Sequence, residues 1–270
     1  KKTLLRTILK NALSGRFFIC ISLFLYHPFT LANDYSNGGC ASTYFHEKAY
    51  IDYVIDGDTV VLKDKRHIRL IGIDTPELNH DGMPSEPGAD IARDRLIELV
   101  THNKQINLQF DTEKQDKHGR TLAHLFQEDG SNIQAQILNA GLAMPLAIPP
   151  NLLYTDCYLA QAKIAKQNSR GLWALPRYQS VSTSQLSGHE HGFHFISGIV
   201  KRISESRSAI WLNLEHNVAL RIVREDLHYF NLETLKLLQG KQVQAKGWLY
   251  RKKGQLRMRI RHNSDITIIK

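Results

Sequence analysis

The stretch from Asp56 to Glu77 constrains this chain most. It reads Asp56-Gly57-Asp58-Thr59, then a basic and apolar ribbon, then Arg69-Leu70-Ile71-Gly72-Ile73-Asp74-Thr75-Pro76-Glu77. Asp-Gly between apolar runs signals a hairpin turn. Tyr53 to Ile55 leads into the turn, and Val60 to Leu62 and Ile68 to Ile73 follow as strands. Such a meander carries Asp58 and Asp74 to neighbouring strand ends although they lie far apart along the chain. Arg69 falls inside an apolar strand, where its charge requires a partner.

The residue types suggest a chemistry. Two hard carboxylates converging on one point suit Ca²⁺ or Mg²⁺. Arginine forks pair with phosphate oxygens and stay charged, which fits Arg69 and Arg120. A glutamate beside a cation, here Glu77, can orient or deprotonate a water. Pro76 limits the backbone freedom next to it. Singly, each residue has a plainer role as turn former, solvated carboxylate or exposed strand arginine. The argument rests on all of them occurring together and in order.

Those motifs, together with Lys117-His118-Gly119-Arg120, resemble the staphylococcal nuclease (thermonuclease-like) family over roughly residues 48 to 175. The resemblance implies a mainly β, α+β fold: an OB-type nuclease β-barrel with three helices. It implies a Ca²⁺-dependent phosphodiesterase leaving 3′-phosphate ends. In that likeness Asp58, Asp74 and the Thr75 carbonyl hold the metal, Glu77 is the general base, and Arg69 and Arg120 bind and stabilise the phosphate. Lys117 and His118 would flank the terminal phosphate, with His118 standing where the family often has tyrosine. Tyr154, at the end of the Pro-rich apolar loop from Met144 to Leu153, would stack on a base or simply pack. The loop from Asn79 to Pro87 is shorter and less lysine-rich than in the type member.

Between these motifs the periodicity predicts three helices. One spans Ile91 to Val100, with Ala92, Leu96 and Leu99 on the barrel. The second is Ile133 to Ala140, capped by Gly141. The third is Tyr158 to Gln167, with Ala160, Ile164 and Ala165 inward. Ile106 to Phe110 and Leu122 to Phe126 read as strands around the charged turn from Lys114 to Arg120. Trp173 reads as core.

Residues 1–32 carry Lys1, Lys2, Arg6, Lys10 and Arg16, then an apolar run from Phe17 to Tyr26, and read as a secretory signal peptide. Export implies a periplasmic or secreted protein. Cys20 would leave with the signal. Cys40 and Cys157 would then form a disulfide, or else be two unrelated thiols. After an extension over residues 33–47 and the nuclease-like domain over residues 48–175, Pro176 to Gly192 reads as a polar linker. It ends in a His189, His191, His194 cluster that by spacing alone says little.

Residues 193–270 show three strands (Ile196 to Ile203, Ala209 to Leu214, Val218 to Val223). A short helix from Leu232 to Leu238 follows, then strands at Val243 to Tyr250, Gln255 to Ile260 and Ile266 to Ile269. That order predicts a second small OB-like barrel. Charge separates the units: residues 33–191 hold 15 basic and 20 acidic side chains, and residues 192–270 hold 15 and 6. Arg257, Arg259 and Arg261 alternate and so share one face, a stripe able to track phosphates. Trp211, Trp248 and Tyr250 could add stacking platforms.

The expectation is a monomer acting on DNA or RNA without a stable protein partner and without a membrane span once the signal is removed. The acidic unit would cut and the basic unit would hold polymer, so that deleting residues 188–270 would spare cleavage of a dinucleotide. The rival class is a non-catalytic exported nucleic-acid-binding protein.

Overall fold

A computed structural model describes residues 40–79, 84–101 and 104–269. The signal segment lies outside the described residues. The first barrel begins with β1 (Glu47–Asp56), β2 (Thr59–Leu62) and β3 (His67–Leu70). The turn between β1 and β2 is Gly57-Asp58, with Asp56 opposite Thr59. Gly57 is not at positive φ. Its reason is space: a Cβ there would come within 2.8 Å of Thr75 and 2.7 Å of the Ala92 Cβ.

The predicted strand from Ile68 to Ile73 is broken. β3 stops at Leu70, and Gly72 turns the chain at φ +85°, its Cα pressed so close to the Tyr158 ring that a Cβ would lie 2.5 Å from it. Only a short β4 (Ile73–Asp74) follows, and it pairs with β7 (Met144–Pro145). Between them in sequence lie α1 (Ala89–Thr101), β5 (Gln105–Gln109), β6 (Thr121–Phe126) and α2 (Ile133–Asn139), and α3 (Thr155–Gln167) comes after β7. The barrel closes in the order β1-β2-β3-β6-β5, with β3 and β6 parallel. Its interior holds Ile51, Val60, Leu62, Ile68, Leu70, Ile106, Leu108 and Leu125, and α1 covers it with Ala92, Leu96 and Leu99 as its spacing predicts.

For α3 the inward face differs from expectation. Ala160 and Ile164 face out, while Tyr158, Ala162 and Ala165 are buried. The helix starts three residues earlier than the periodicity suggested, and Tyr158 sets its rotation. The Tyr158 hydroxyl accepts from Asn132 at 3.0 Å and lies 2.8 Å from His124 Nδ1. Positions i, i+4 and i+7 from that anchor then face the core.

Cys40 and Cys157 are joined, closing a 117-residue separation between the start of the described chain and α3. Replacing both with alanine should lower stability by about 2–5 kcal/mol. In a domain of this size that is a fall in Tm on the order of 10 °C, readable by calorimetry, with no change for wild type until a reductant is added.

The segment read as a polar linker is packed. Tyr178 and Thr183 are buried, and β8 (Val181–Ser182) adds to the second sheet beside β9 (Gly192–Glu205). Its polar side chains bond locally, as where Gln185 and Ser182 cap a single turn.

The second barrel continues with β10 (Ala209–Leu214), β11 (Val218–Val223), α4 (Leu232–Lys236), β12 (Gln242–Lys252) and β13 (Gln255–Arg259); β14 (Ile266–Ile268) lies at its edge. It closes through β12–β9 in the order β9-β10-β11-β13-β12, with β11 and β13 parallel and the helix between the third and fourth strands. The two barrels therefore share one topology. They also share apolar contacts: Phe195 of β9 belongs to the first core and meets Trp173 at 5.6 Å between centroids. Cutting the chain at residue 188 would strip Phe195 from that core, so the deletion does not isolate an intact cutting unit.

Candidate active site

Three local facts assemble the site. The β1–β2 turn buries Asp58, the middle of β3 supplies Arg69, and the Gly72 turn brings Asp74 back towards both. Arg69 bridges the two carboxylates: Nη1 pairs with Asp58 Oδ2, and Nη2 lies 2.9 Å from Asp74 Oδ1. Asp58 is held further by the Thr75 N–H at 2.9 Å and the Thr59 hydroxyl at 3.1 Å, and Asp56 accepts from the Asp58 N–H at 3.1 Å. The predicted partner of the strand arginine is thus a pair of acids.

Electrostatics follows from crowding. Burial, opposed by Arg69, pushes Asp74 up to about 7. Burial and the neighbouring Asp58 charge push Asp56 to about 7. Glu77 is raised by burial and by Asp58. Burial works against the Arg69 charge, but the surrounding carboxylates outweigh it and hold the guanidinium above its ordinary range.

Glu77 and Arg120 line the same cleft as Arg69 and Asp74. Two residues that the sequence did not single out position Glu77. Glu86 accepts from the Glu77 N–H at 3.1 Å and donates its own N–H to the Glu77 carbonyl at 2.9 Å; Arg177 pairs with Glu86. Arg120 is oriented by Asp116, which accepts from its Nε at 2.8 Å and its N–H at 3.0 Å. Burial pushes Asp116 up, but the Arg120 bonds outweigh it and hold the carboxyl low. The Asp116 to Arg120 spacing around Gly119 was the available signal; for Glu86 and Arg177, 91 residues apart, there was none.

Lys117 and His118 border an adjoining cavity of about 820 Å³ that also contains Arg69, Asp74, Arg120 and, from the second barrel, Trp248 and Arg261. Tyr154 does not line the cleft. Its ring packs with His124, Phe126 and Tyr158, and its hydroxyl donates to Gln109 at 2.7 Å. Of the two readings of Tyr154, the structure favours packing: the ring sits in this aromatic cluster, partly buried against the core.

The arginine stripe is also less free than alternation implied. Arg259 pairs with Asp226 at 2.8 Å, Arg261 Nη2 donates to the Pro149 carbonyl at 3.2 Å, and Arg257 lies over the Trp211 ring at 4.8 Å. Among the histidines, His194 Nδ1 lies 3.0 Å from the Gly192 carbonyl.

The donor set fits a hard cation. Asp58, Asp74 and the Thr75 carbonyl are all oxygen donors in one small region, and the crowding that raises Asp74 and Glu77 is what a cation would relieve. Among the described residues no three His, Cys, Asp or Glu side chains form a ready cluster, so further positions would fall to water.

Residues 67–175 match the family described as Staphylococcal nuclease homologue. The thermonuclease of Staphylococcus intermedius is 33% identical over 131 residues, 47% of this chain and 76% of the relative. Endonuclease YncB of Bacillus subtilis is 33% identical over 133 residues, 47% of this chain and 62% of the relative. An uncharacterized protein of Methanocaldococcus jannaschii is 30% identical over 171 residues, 55% of this chain and 81% of the relative. With the barrel, the bridged acids and these matches together, the chain belongs to the staphylococcal nuclease family.

Proposed function

We propose an exported, Ca²⁺-dependent endonuclease that hydrolyses phosphodiester bonds of DNA or RNA. A nuclease hydrolase is what the family membership supports. The observation that carries the finer reading is the Arg69 bridge between Asp58 and Asp74, in a cleft shared with Glu77 and Arg120. Export rests on the signal-like start of the chain and on the Cys40–Cys157 pair. No helix among the described residues is long and apolar enough to cross a membrane.

In this reading Asp58, Asp74 and the Thr75 carbonyl would hold the cation, which when bound supplies Lewis-acid polarisation of the phosphate. Glu77 takes the proton from the water whose oxygen bonds to phosphorus, and the ester oxygen departs. Burial and the Asp58 charge raise the basicity of Glu77, which suits it to that task. Arg69 and Arg120 bind the non-bridging oxygens and offset the charge that grows on them. Asp116 and Glu86 keep Arg120 and Glu77 in place.

The test is digestion of matched DNA and RNA by the purified chain with calcium and with a chelator. Chelation should lower the rate at least about 10³-fold, since a bound metal contributes several kcal/mol. Calcium added back should restore it. Tight binding of either polymer with no cleavage in calcium would instead support the non-catalytic binder.

A further inference from the structure

We propose that the second barrel completes the substrate cleft, and that Trp248 is the surface on which an unpaired base beside the scissile phosphate stacks. The proposal rests on the nuclease reading but has its own observations.

An exposed tryptophan alone needs no explanation. Trp248 is distinguished by its place. It is 45% exposed, and it borders three adjoining depressions. One holds Arg69, Glu77 and Arg120; the next holds Lys117, His118 and Arg261; the third lies along the second barrel with Tyr250 and Arg259. A single indole is thus common to the wall of the reacting centre and to the groove leading away from it. The other aromatic residues of the reacting cleft are Tyr178, which is buried, and Phe193, which is partly covered.

The ring is also held in place. Phe193 meets it at 5.1 Å and 81°, which fixes its attitude while leaving nearly half of it open. Two residues earlier on β12, buried Lys246 donates to the Pro145 carbonyl of the first barrel at 2.8 Å. Arg261 reaches the Pro149 carbonyl at 3.2 Å. Lys246 on β12 thus ties to β7, and Arg261, just past the neighbouring β13, ties to the loop that follows β7. Gly247 lies close against β13: a Cβ there would come 3.0 Å from Met258 Cγ and 3.2 Å from the Arg259 carbonyl.

The ligand chemistry follows. The first barrel supplies cations for a phosphate, but its candidate stacking residue, Tyr154, packs in the aromatic cluster and does not line the cleft. Base stacking on an aromatic ring tolerates any sequence and requires a base free of its duplex neighbours. The substrate segment in this cleft is therefore single-stranded or locally opened. The next phosphates would run past Arg261 towards Arg259 and Tyr250.

The experiment uses the full chain, a short oligo(dT), and a base-free deoxyribose-phosphate polymer of equal length. In chelator, binding of oligo(dT) should quench tryptophan emission, and the base-free polymer should not. Trp248→Ala should weaken oligo(dT) binding, and raise its KM in calcium, by roughly 5- to 100-fold. Trp248→Phe should retain most of the affinity. The base-free polymer should bind all three forms alike. Equal affinity of wild type and Trp248→Ala for oligo(dT) overturns the proposal, as does an equal loss for both polymers. Quenching by oligo(dT) in a protein that fails to cleave in calcium would uphold the stacking surface and reject the nuclease reading.

Discussion

Glu77→Gln should lower kcat by about 10²- to 10⁴-fold, the usual contribution of a positioned general base. Glutamine keeps the size and loses the proton acceptor. The two hydrogen bonds that tie the Glu77 main chain to Glu86 do not involve the changed side chain, so the loop should keep its course. Oligonucleotide affinity should hold or rise slightly, because one negative charge leaves a cleft that binds a polyanion. Single-turnover cleavage and fluorescence anisotropy on the same oligonucleotide separate the two effects. Unchanged turnover would remove Glu77 from the chemistry, and equal loss of binding and turnover would make it a structural residue.

Arg69→Met should damage both stability and activity. The guanidinium is the cation that faces Asp58, whose side chain is 3% exposed, and Asp74. Removing one partner from a buried charge cluster leaves the others uncompensated and costs about 3–5 kcal/mol. In chelator this should appear as a drop in Tm on the order of 10 °C. Calcium should return part of it, since a ligand that binds only the folded state stabilises by mass action. Turnover in calcium should still be down at least about 10²-fold, the cost of losing one preorganised donor to a developing charge. A variant as stable as wild type in chelator would show that the acids do not depend on the bridge.

The same residue shows how far the primary structure reaches. Arg69 inside an apolar strand announced a buried charge with an acid for company, and the Asp-Gly turn placed one of those acids. Strand alternation and turn residues are local, so both barrels, their helices and the Cys40–Cys157 link could be anticipated. The rotation of α3 could not, because Tyr158 takes its direction from hydroxyl partners on β6 and at the start of α2. Nor could Glu86 with Arg177, which meet across 91 residues, or the loss of Tyr154 to the aromatic cluster.

The sequence by itself determined the kind of chemistry available here. Asp58, Arg69, Asp74, Glu77 and Arg120, in that order, are a matter of residue type and sequence position, and each is set within one turn or strand. What only the tertiary structure decided is where the basic barrel stands. The polar segment from Pro176 to Gly192 reads as a linker, yet Tyr178 and Thr183 are buried and β8 joins the second sheet. Lys246, Arg261 and Phe195 then hold that barrel against the first, with Trp248 on the rim of the cleft that Arg69, Asp74, Glu77 and Arg120 line. Contacts between residues about a hundred positions apart depend on the packing of both cores at once, which no local pattern encodes.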